Sequence, residues 1–248
     1  MQAMILAAGL GTRLRPITDH IPKALVPVRQ KDGKETPALE ALLDKMIEQG
    51  FSRIIINLHH LPGQIRTFVS DYLEKKNIPP VHICFSDESD LILGTGGALK
   101  HACSLFDTNQ PLLVHNVDIL SDIHLSDFMQ EHRQGDLATL LVTPRDSSRQ
   151  LLFDEQWQLV AWKNKTTEEI RWVKTRSHKQ EYKERAFSGI YILPPQAIHL
   201  LYTRKDNVFS IIDFFLEQAS RHAVRGVELP TIQVLDIGKP ETYRNTLL

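Results

Sequence analysis

The sequence predicts an α/β protein with three layers, in which a mostly parallel central sheet is covered by helices on both faces. Short apolar runs alternate with segments whose apolar residues recur every three or four positions, as buried strands and amphipathic helices do. Two conspicuous segments, Gly9–Arg13 and Asn116–Asp118, directly follow predicted strands. Ligands of such sheets bind at the carboxyl ends of the strands.

The first strand and the first helix illustrate these signals. Ala3–Ala7 is an apolar run that leads into a glycine loop, which suits a strand buried on both faces. We predict that Thr36 caps the first helix, that Pro37 occupies its first turn and that Gly50 ends it. Apolar residues at helical spacing would form its buried face: Leu39, Leu42, Leu43, Met46 and Ile47.

The alternation continues to about residue 118. A second helix would bury the residues Ile65, Phe68, Val69, Tyr72 and Leu73, and a third would extend from about Gly96 to Phe106. Strands are predicted before and between these helices, over Arg53–Leu58, Val81–Phe85 and Pro111–His115. Repeated strand–helix–strand units imply parallel strands joined by right-handed crossovers.

The second half of the chain is less regular. Predicted strands are Leu137–Thr143, Arg185–Leu193, Val224–Leu229 and Ile232–Asp236. A late helix would contain the apolar residues Val208, Ile211, Ile212, Phe215, Leu216 and Ala219, and a short helix would start at Pro240. Within Lys163–Arg185, eight residues are basic and four are acidic. This segment is either a solvated hairpin or loop, or a mobile, net-basic flap near an anionic substrate.

Composition excludes several classes of protein. Lys and Arg total 29 and Asp and Glu total 30, and this balance argues against a protein that coats nucleic acid or an anionic membrane. No segment has the length and apolar character of a membrane span, and the first residues lack the features of a signal peptide. Two cysteines are too few for a disulfide scaffold. We expect a cytoplasmic protein with no nucleic-acid or membrane partner; its oligomeric state is left open.

The glycine loop after the first strand is suited to phosphate binding. Gly9 and Gly11 would let the backbone approach a phosphate closely, Thr12 adds a hydroxyl donor, and Arg13 adds a planar cationic fork. The loop lacks the lysine of a P-loop. It also differs from the dinucleotide-binding fingerprint, because Leu14 stands at the third glycine position and no acidic residue follows the second strand.

Three charged residues outside this loop are further candidates. Lys23 lies between Pro22 and Pro27, and the two prolines stiffen the segment that carries it. Asp118 ends the fourth strand, and Asp236 ends an apolar run before a glycine. Carboxylates at such positions can hold Mg²⁺ together with phosphate oxygens. Either aspartate could instead cap a helix or turn.

Two other segments have less specific signals. Leu93-Gly-Thr-Gly-Gly-Ala98 opens a helix, and its glycines could let a base or ribose lie against the backbone, or could form a capped turn. His59 and His60 are adjacent at a strand end and would point to opposite sides. We therefore do not expect them to bind a metal together.

Six stretches, in this order, resemble the sugar-1-phosphate nucleotidyltransferases. The resemblance extends over nearly the whole chain. The stretches are Ala7-Ala8-Gly9-x-Gly11-Thr12-Arg13-Leu14-x-Pro16, Pro22-Lys23-x-Leu25-x-Pro27, Leu93-Gly94-Thr95-Gly96-Gly97, Asn116-x-Asp118, Phe187-Ser188-Gly189-Ile190-Tyr191 and Asp236-Ile237-Gly238-x-Pro240-Glu241.

This resemblance implies a three-layer Rossmann-like nucleotidyltransferase fold in one domain, residues 1–248. The nucleotide-binding half would be about 1–135 and the sugar-phosphate-binding half about 136–248. It also implies a reaction in which a sugar 1-phosphate attacks the α-phosphate of a nucleoside triphosphate, giving a nucleotide-sugar and pyrophosphate. The partners would be UTP or GTP and a sugar 1-phosphate, with Mg²⁺ as cofactor.

The resemblance assigns a role to each matching residue. Arg13, Lys23 and Asp118 would be catalytic, with Lys23 bridging the α-phosphate and the incoming sugar phosphate. Asp118 and Asp236 would hold the metal. The base would contact the backbone of Ala7, Ala8, Gly9, Gly94 and Thr95, the β- and γ-phosphates would contact Gly11, Thr12 and Arg13, and the sugar phosphate would contact Lys23, Trp162, Ser188 and Gly189.

Two departures from the family pattern bear on the substrate. The family usually has glycine where Val117 stands, and its members that use N-acetylglucosamine 1-phosphate often have glutamate near Trp162. The best interpretation is uridylyl transfer to N-acetylmuramate 1-phosphate. Mannose- or heptose-1-phosphate guanylyl transfer is the alternative. A non-catalytic, nucleotidyltransferase-like regulatory subunit and a nicotinamide-dependent dehydrogenase are more remote.

Overall fold

A computed structural model describes residues 1–29, 33–75, 78–174 and 181–247 of the 248-residue chain. Within these ranges it has fourteen strands. They are β1 (Gln2–Leu6), β2 (Pro27–Arg29), β3 (Glu35–Pro37), β4 (Arg53–Leu58), β5 (His82–Asp87), β6 (Leu112–Asn116), β7 (Ile119–Ser121), β8 (Asp136–Thr143), β9 (Arg149–Phe153), β10 (Leu159–Asn164), β11 (Glu169–Trp172), β12 (Lys183–Leu193), β13 (Ala223–Val227) and β14 (Val234–Asp236).

The same ranges contain seven α-helices and several short 3₁₀ turns. In the described part of the chain, none of these helices has both the length and the apolar composition needed to cross a bilayer. The helices are α1 (Ala38–Glu48), α2 (Pro62–Lys75), α3 (Gly94–His101), α4 (Leu125–Gln130), α5 (Pro195–Tyr202), α6 (Ile211–Gln218) and α7 (Pro240–Leu247).

The chain divides into two compact units, each built from separate segments of sequence. The first unit comprises Met1–Ile92, His115–Ser126 and Gln233–Leu248, and the second comprises Leu93–Val114 and Asp127–Ile232. The expectation of one domain, with a nucleotide-binding half of about 1–135 and a sugar-phosphate-binding half of about 136–248, stays a prediction.

The first unit contains a parallel sheet of β1, β4 and β5. Met4 lies opposite Ile55, and Ile55 lies opposite Cys84. Ile54, Ile55 and Ile56 are fully buried, because both faces of β4 are covered. The predicted strand Arg53–Leu58 is therefore confirmed as β4, and its β-branched isoleucines pack on both faces of the sheet.

The start of the first helix differs from the prediction. The expectations that Thr36 caps it and that Pro37 occupies its first turn are wrong, because both residues belong to β3, where Thr36 lies opposite Val28 of β2. α1 begins at Ala38, whose backbone N–H donates to the Val26 carbonyl at 3.0 Å. Because Thr36 pairs with β2, it cannot cap the helix, although the local sequence favours that role.

The second unit contains a mixed sheet. β11, β10, β9 and β12 follow one another as antiparallel neighbours, β12 continues along β8 antiparallel, and β8 pairs with β13 in parallel. The predicted α/β class with a mostly parallel central sheet is confirmed; the antiparallel pairs are concentrated in this unit.

The charged segment 163–185 contributes to this antiparallel sheet. Its described residues include the end of β10, all of β11 and the start of β12, and β10 and β11 form a hairpin. Lys163 forms an ion pair with Glu184 at 2.7 Å. Residues 175–180, on which part of the flap hypothesis falls, lie outside the described residues.

His115 is a buried ionisable residue near the end of β6. Its exposed fraction is 1%, and its Nδ1–H donates to the Asn116 carbonyl at 2.8 Å. Burial lowers the pKa of His115 from 6.5 to about 4, because the protonated ring loses its hydration. The folded protein therefore holds this ring neutral at pH values where the unfolded chain binds a proton.

We expect this difference in pKa to make stability depend on pH. The stabilisation is complete above pH 6.5 and is lost as the pH falls towards 4, which amounts to about 2 kcal/mol between pH 7.5 and pH 5. His115→Gln, which cannot be protonated, should remove about 2 kcal/mol from the change in unfolding free energy between pH 7.5 and pH 5, measured by urea denaturation. An unchanged pH dependence would contradict the assignment.

Candidate active site

The glycine loop after β1 contains two glycines with different environments. Gly11 has φ +63°, and a Cβ there would lie 2.7 Å from Thr18 Cγ2. The Thr18 hydroxyl donates to the Gly11 carbonyl at 2.8 Å. Gly11 is therefore required by the packing of the loop itself.

Gly9 has no such requirement. A Cβ at Gly9 would meet nothing within 4 Å, and Gly9, Thr12 and Arg13 are exposed. Ala7 and Ala8 lie deeper, and their N–H groups both donate to the Asn57 side-chain oxygen, at 2.6 and 3.3 Å. The loop thus has a fixed inner segment and an open outer segment whose backbone a ligand can approach.

Lys23 and Asp118 form an ion pair beside this loop. Only 12% of the Lys23 side chain and 16% of the Asp118 side chain are exposed. Gly238 lies against both: a Cβ there would be 2.5 Å from Lys23 Nζ, 2.7 Å from Asp118 Oδ2 and 3.0 Å from an Arg13 guanidinium nitrogen. The three predicted catalytic side chains, Arg13, Lys23 and Asp118, therefore meet at Gly238.

Backbone contacts connect the segment of Asp236 to the segment of Asp118. It lies opposite Ile119 in the β7–β14 pair, and Ile237 N–H donates to the Asp118 carbonyl at 2.9 Å. One Asp236 oxygen accepts a hydrogen bond from Gly238 N–H at 3.0 Å. The pairing of β7 with β14 thus brings the segments that carry Asp118 and Asp236, the two predicted metal ligands, next to each other.

These residues suit a hard cation better than a soft one. Within the described ranges, no group of three or more His, Cys, Asp or Glu side chains is arranged to hold a metal ion. Mg²⁺ needs fewer protein ligands, since it binds through one or two carboxylates and takes its other ligands from water and phosphate. The oxygen donors of Asp118 and Asp236 fit that chemistry.

Val117, at the position where the resemblance leads us to expect glycine, is buried. Its exposed fraction is 3%, and its N–H donates to the Leu6 carbonyl at 3.1 Å. The residue before Asp118 therefore connects the end of β6 to the end of β1.

The predicted base contacts Gly94 and Thr95 lie in the second unit, where the neighbouring glycines have a packing role. Gly96 and Gly97 donate their N–H groups to the Phe209 carbonyl, and Cβ atoms there would collide with the Phe209 ring and the Asn207 carbonyl, respectively. The Thr95 hydroxyl accepts a hydrogen bond from Ile211 N–H at 3.0 Å, in the first turn of α6. Close packing explains this glycine run without a ligand.

The predicted sugar contacts occupy two strands of the second unit that are separated by β9. Trp162 is on β10, with the Arg171 guanidinium 5.6 Å from its ring centre, and Arg171 pairs with Asp213 at 2.5 Å. Ser188 and Gly189 are on β12, where the register with β8 shifts and Gly189 has φ +71°. The buried Ser188 hydroxyl has no hydrogen-bond partner among the described residues.

The role of several residues that shape the loop was not predicted from the sequence. Asn57, Thr18 and His60 contact its backbone or the turn behind it. Gly238 was part of a matching motif, but nothing in the sequence indicated its neighbours. A detectable signal was Asn57 itself, a polar residue at the carboxyl end of an otherwise apolar strand.

Comparisons with known proteins identify the family of the chain. Residues 2–247 match the Nucleotidyl transferase family. The chain belongs to this family. It is 30% identical over 215 residues to UTP–glucose-1-phosphate uridylyltransferase of Synechocystis, covering 80% of the chain and 50% of that protein. It is 28% identical over 246 residues to probable mannose-1-phosphate guanylyltransferase 1 of Oryza sativa, covering 98% and 63%.

A third relative is N-acetylmuramate α-1-phosphate uridylyltransferase of Caulobacter vibrioides, 37% identical over 116 residues, 47% of this chain and 45% of that protein. The chain thus spans about half to two thirds of the length of these relatives. Solved structures share the fold: HddC from Yersinia pseudotuberculosis has a TM-score of 0.72 at 24% identity, with 99% of this chain and 97% of that chain covered.

A second solved structure, a putative glucose-1-phosphate thymidylyltransferase from Bacillus anthracis, has a TM-score of 0.77 at 19% identity and covers 100% of this chain and 94% of its own. Together with HddC it confirms the predicted Rossmann-like nucleotidyltransferase fold. The family assignment confirms the resemblance found in the sequence motifs.

Gly238→Ala should disturb the charged cluster without unfolding the protein. The new methyl group would meet the ends of the Lys23, Asp118 and Arg13 side chains, which can move, and no backbone atom is among these three nearest atoms. We expect affinity for inorganic pyrophosphate to fall about tenfold, the scale of one charge-assisted hydrogen bond, with little change in Tm. Gly63→Ala in α2, where a Cβ meets nothing within 4 Å, is the control. Equal affinities for the two variants would contradict this role of Gly238.

Proposed function

We propose that the protein transfers a nucleoside monophosphate from a nucleoside triphosphate to a sugar 1-phosphate, releasing pyrophosphate. The observation that carries this proposal is the meeting of Arg13, Lys23 and Asp118 at Gly238. Two cations and one carboxylate, beside an open glycine loop, match a ligand with several phosphate groups. Membership of the Nucleotidyl transferase family supports the same reaction.

The reaction needs charge cancellation and alignment more than covalent help. A phosphate oxygen of the sugar 1-phosphate attacks the α-phosphorus of the nucleotide, and the bond between that phosphorus and the bridging oxygen to the β-phosphate breaks. Pyrophosphate leaves with the bond's electron pair. Because the attacking oxygen is already anionic, no general base has to remove a proton.

The residues of the first unit would divide this work. Gly11, Thr12 and Arg13 would bind the β- and γ-phosphates, and Lys23 would hold the α-phosphate and the sugar phosphate side by side. The loop backbone at Ala7, Ala8 and Gly9 would lie along the base. Asp118 and Asp236 would hold Mg²⁺, which when bound offsets the negative charge of the phosphate oxygens.

In the second unit, Gly94 and Thr95 would contribute further backbone contacts to the base. Trp162, Ser188 and Gly189 would contact the sugar. The buried Ser188 hydroxyl, which lacks a partner among the described residues, is the feature that supports a polar contact there.

For the substrate, we propose UTP and N-acetylmuramate 1-phosphate. The Caulobacter relative that acts on this sugar has the highest identity of the three relatives described above, although over less than half of the chain. The alternative is GTP with mannose 1-phosphate or a heptose 1-phosphate. It is supported by the mannose-1-phosphate guanylyltransferase of Oryza, which matches 98% of the chain. A cytoplasmic role in nucleotide-sugar synthesis for the cell wall would follow from the first option.

Removing either member of the ion pair should greatly reduce turnover. We expect Lys23→Ala and Asp118→Ala to lower kcat by about 10²–10³, the scale for one preorganised charge contact. Lys75→Ala removes an exposed lysine of α2 that pairs with Asp71 and should have no effect. Activity of Asp118→Ala within a few-fold of wild type, in a continuous pyrophosphate assay with Mg²⁺, would contradict its assignment.

The proposed function is tested by measuring pyrophosphate release for every pair of nucleotide and sugar. The nucleotides are UTP, GTP, CTP, ATP and dTTP, and the sugars are the 1-phosphates of N-acetylmuramate, mannose, a heptose and glucose. Release with UTP and N-acetylmuramate 1-phosphate supports the proposal, whereas release with GTP and mannose or heptose supports the alternative. No release from any pair, with nucleotide still bound, would indicate a regulatory subunit. No nucleotide binding would refute the proposed activity.

A further inference from the structure

Polar side chains at the carboxyl end of β4 reach separate loops of the first unit. Asn57 contacts the glycine loop, His59 contacts the turn after β5, and His60 contacts the 3₁₀ turn Ile17–Asp19. We propose that these three residues, here named the β4 clamp, are positioning residues that hold the glycine loop in its nucleotide-binding shape. This inference rests on the proposed function.

The first part of the clamp is the Asn57 amide. Its oxygen accepts hydrogen bonds from Ala7 N–H and Ala8 N–H, and its nitrogen donates to Glu88 Oε1 at 2.9 Å. Asn57 is 2% exposed and Glu88 is 5% exposed. Because the two ends of the amide have opposite hydrogen-bonding roles, the donors on one side and the carboxylate on the other permit only one orientation of the amide.

The second part of the clamp acts through Thr18. His60 Nε2–H donates to the Thr18 carbonyl at 2.9 Å, and the Thr18 hydroxyl donates to the Gly11 carbonyl at 2.8 Å. Thr18 is 1% exposed and its methyl group fills the space beside Gly11. The backbone conformation at Gly11 is therefore held from behind by His60.

The two parts are joined through the chain itself, because His59, which contacts Glu88, directly precedes His60 in the sequence. His59 Nδ1–H donates to the Glu88 carbonyl at 2.6 Å, and Glu88 N–H donates to the Leu58 carbonyl at 2.8 Å. The backbone of Glu88 is thus fixed on β4, and its carboxylate in turn orients Asn57. In the first part, Asn57 connects the Ala7 and Ala8 N–H groups to Glu88 in a continuous chain of hydrogen bonds, and such chains polarise and strengthen their members when all are satisfied.

The clamp matters because the outer part of the loop has little support of its own. Gly9, Thr12 and Arg13 are exposed, and a Cβ at Gly9 would touch nothing. A loop that binds phosphates with its backbone and one guanidinium must be preorganised, since misplacement by about 1 Å can cost about 10² in rate. The fixed residues Ala7, Ala8 and Gly11, which flank Gly9 and directly precede Thr12 and Arg13, supply this order.

The decisive experiment exchanges the roles of Asn57 and Glu88. Asn57→Asp keeps the acceptor for Ala7 and Ala8 but places a second carboxylate against Glu88, which like charges disfavour. Adding Glu88→Gln restores a complementary pair, because the glutamine amide can donate to the new carboxylate. Glu88→Gln by itself keeps an acceptor for Asn57 and is the matched control.

Two measurements are made on the full chain. Amide hydrogen exchange reports the protection of Ala7 and Ala8, and calorimetric titration reports the affinity for UTP and GTP. We expect Asn57→Asp to accelerate exchange at both amides and to weaken binding of the better nucleotide about tenfold. The double variant should return both quantities to within about threefold of wild type, and Glu88→Gln should stay within that range.

A pair of His60 variants tests the second part independently. Glutamine can place an N–H close to the position of Nε2, whereas leucine cannot donate. We expect His60→Leu to weaken nucleotide binding about tenfold and His60→Gln to stay within about threefold. His101→Leu, at an exposed position of α3, should bind as wild type does.

Three results would overturn the clamp: unchanged exchange in Asn57→Asp, faster exchange with unchanged nucleotide affinity, or no recovery in the double variant. Equal loss of affinity in His60→Leu and His60→Gln would also contradict it. If the wild-type protein binds no nucleotide, the proposed function fails. In that case, faster exchange in Asn57→Asp and its recovery in the double variant would still establish the hydrogen bonds of the clamp and would refute only their role in binding.

Discussion

The ion pair between Lys23 and Asp118 is the interaction on which the candidate site depends. Its members are 95 positions apart in the sequence, and both are largely shielded from water. Such a pair contributes little to stability, because the loss of hydration offsets most of the attraction. The nearby Arg13 adds a second positive charge, and Gly238 leaves space where any side chain would intrude. This arrangement favours a multiply charged anion as the ligand.

Two glycine-rich segments match the family motifs, the loop after β1 and the start of α3, and their glycines serve different purposes. Gly96 and Gly97 are needed because the backbone and ring of residues 207–209 pack directly against them. Gly9 touches nothing on its open side, so the structure itself gives no reason for it. An open glycine in the loop that carries Arg13 is the stronger indication of a ligand, because no packing requirement explains its missing side chain.

Much of the fold could be predicted, because the periodic apolar pattern of β4 and of α1 is a local property of the chain. Local patterns failed at Thr36, where pairing between β2 and β3 overrides a helix-capping preference. In the candidate site, the charged residues were predicted from strand ends and motifs. The β4 clamp was not, because each of its side chains bonds to backbone groups of distant segments, and a backbone N–H or carbonyl leaves no trace in the sequence.

By itself, the sequence determined the alternation of strands and helices, the glycine loop, the charged residues beside it and the family resemblance. These features depend on residue type and spacing, which the chain carries directly. Only the tertiary structure decided that Arg13, Lys23 and Asp118 meet at Gly238, and that Asn57 and His60 hold the loop from behind. The physical reason is that convergence depends on strand order and backbone hydrogen bonds, which are set when distant segments pack together.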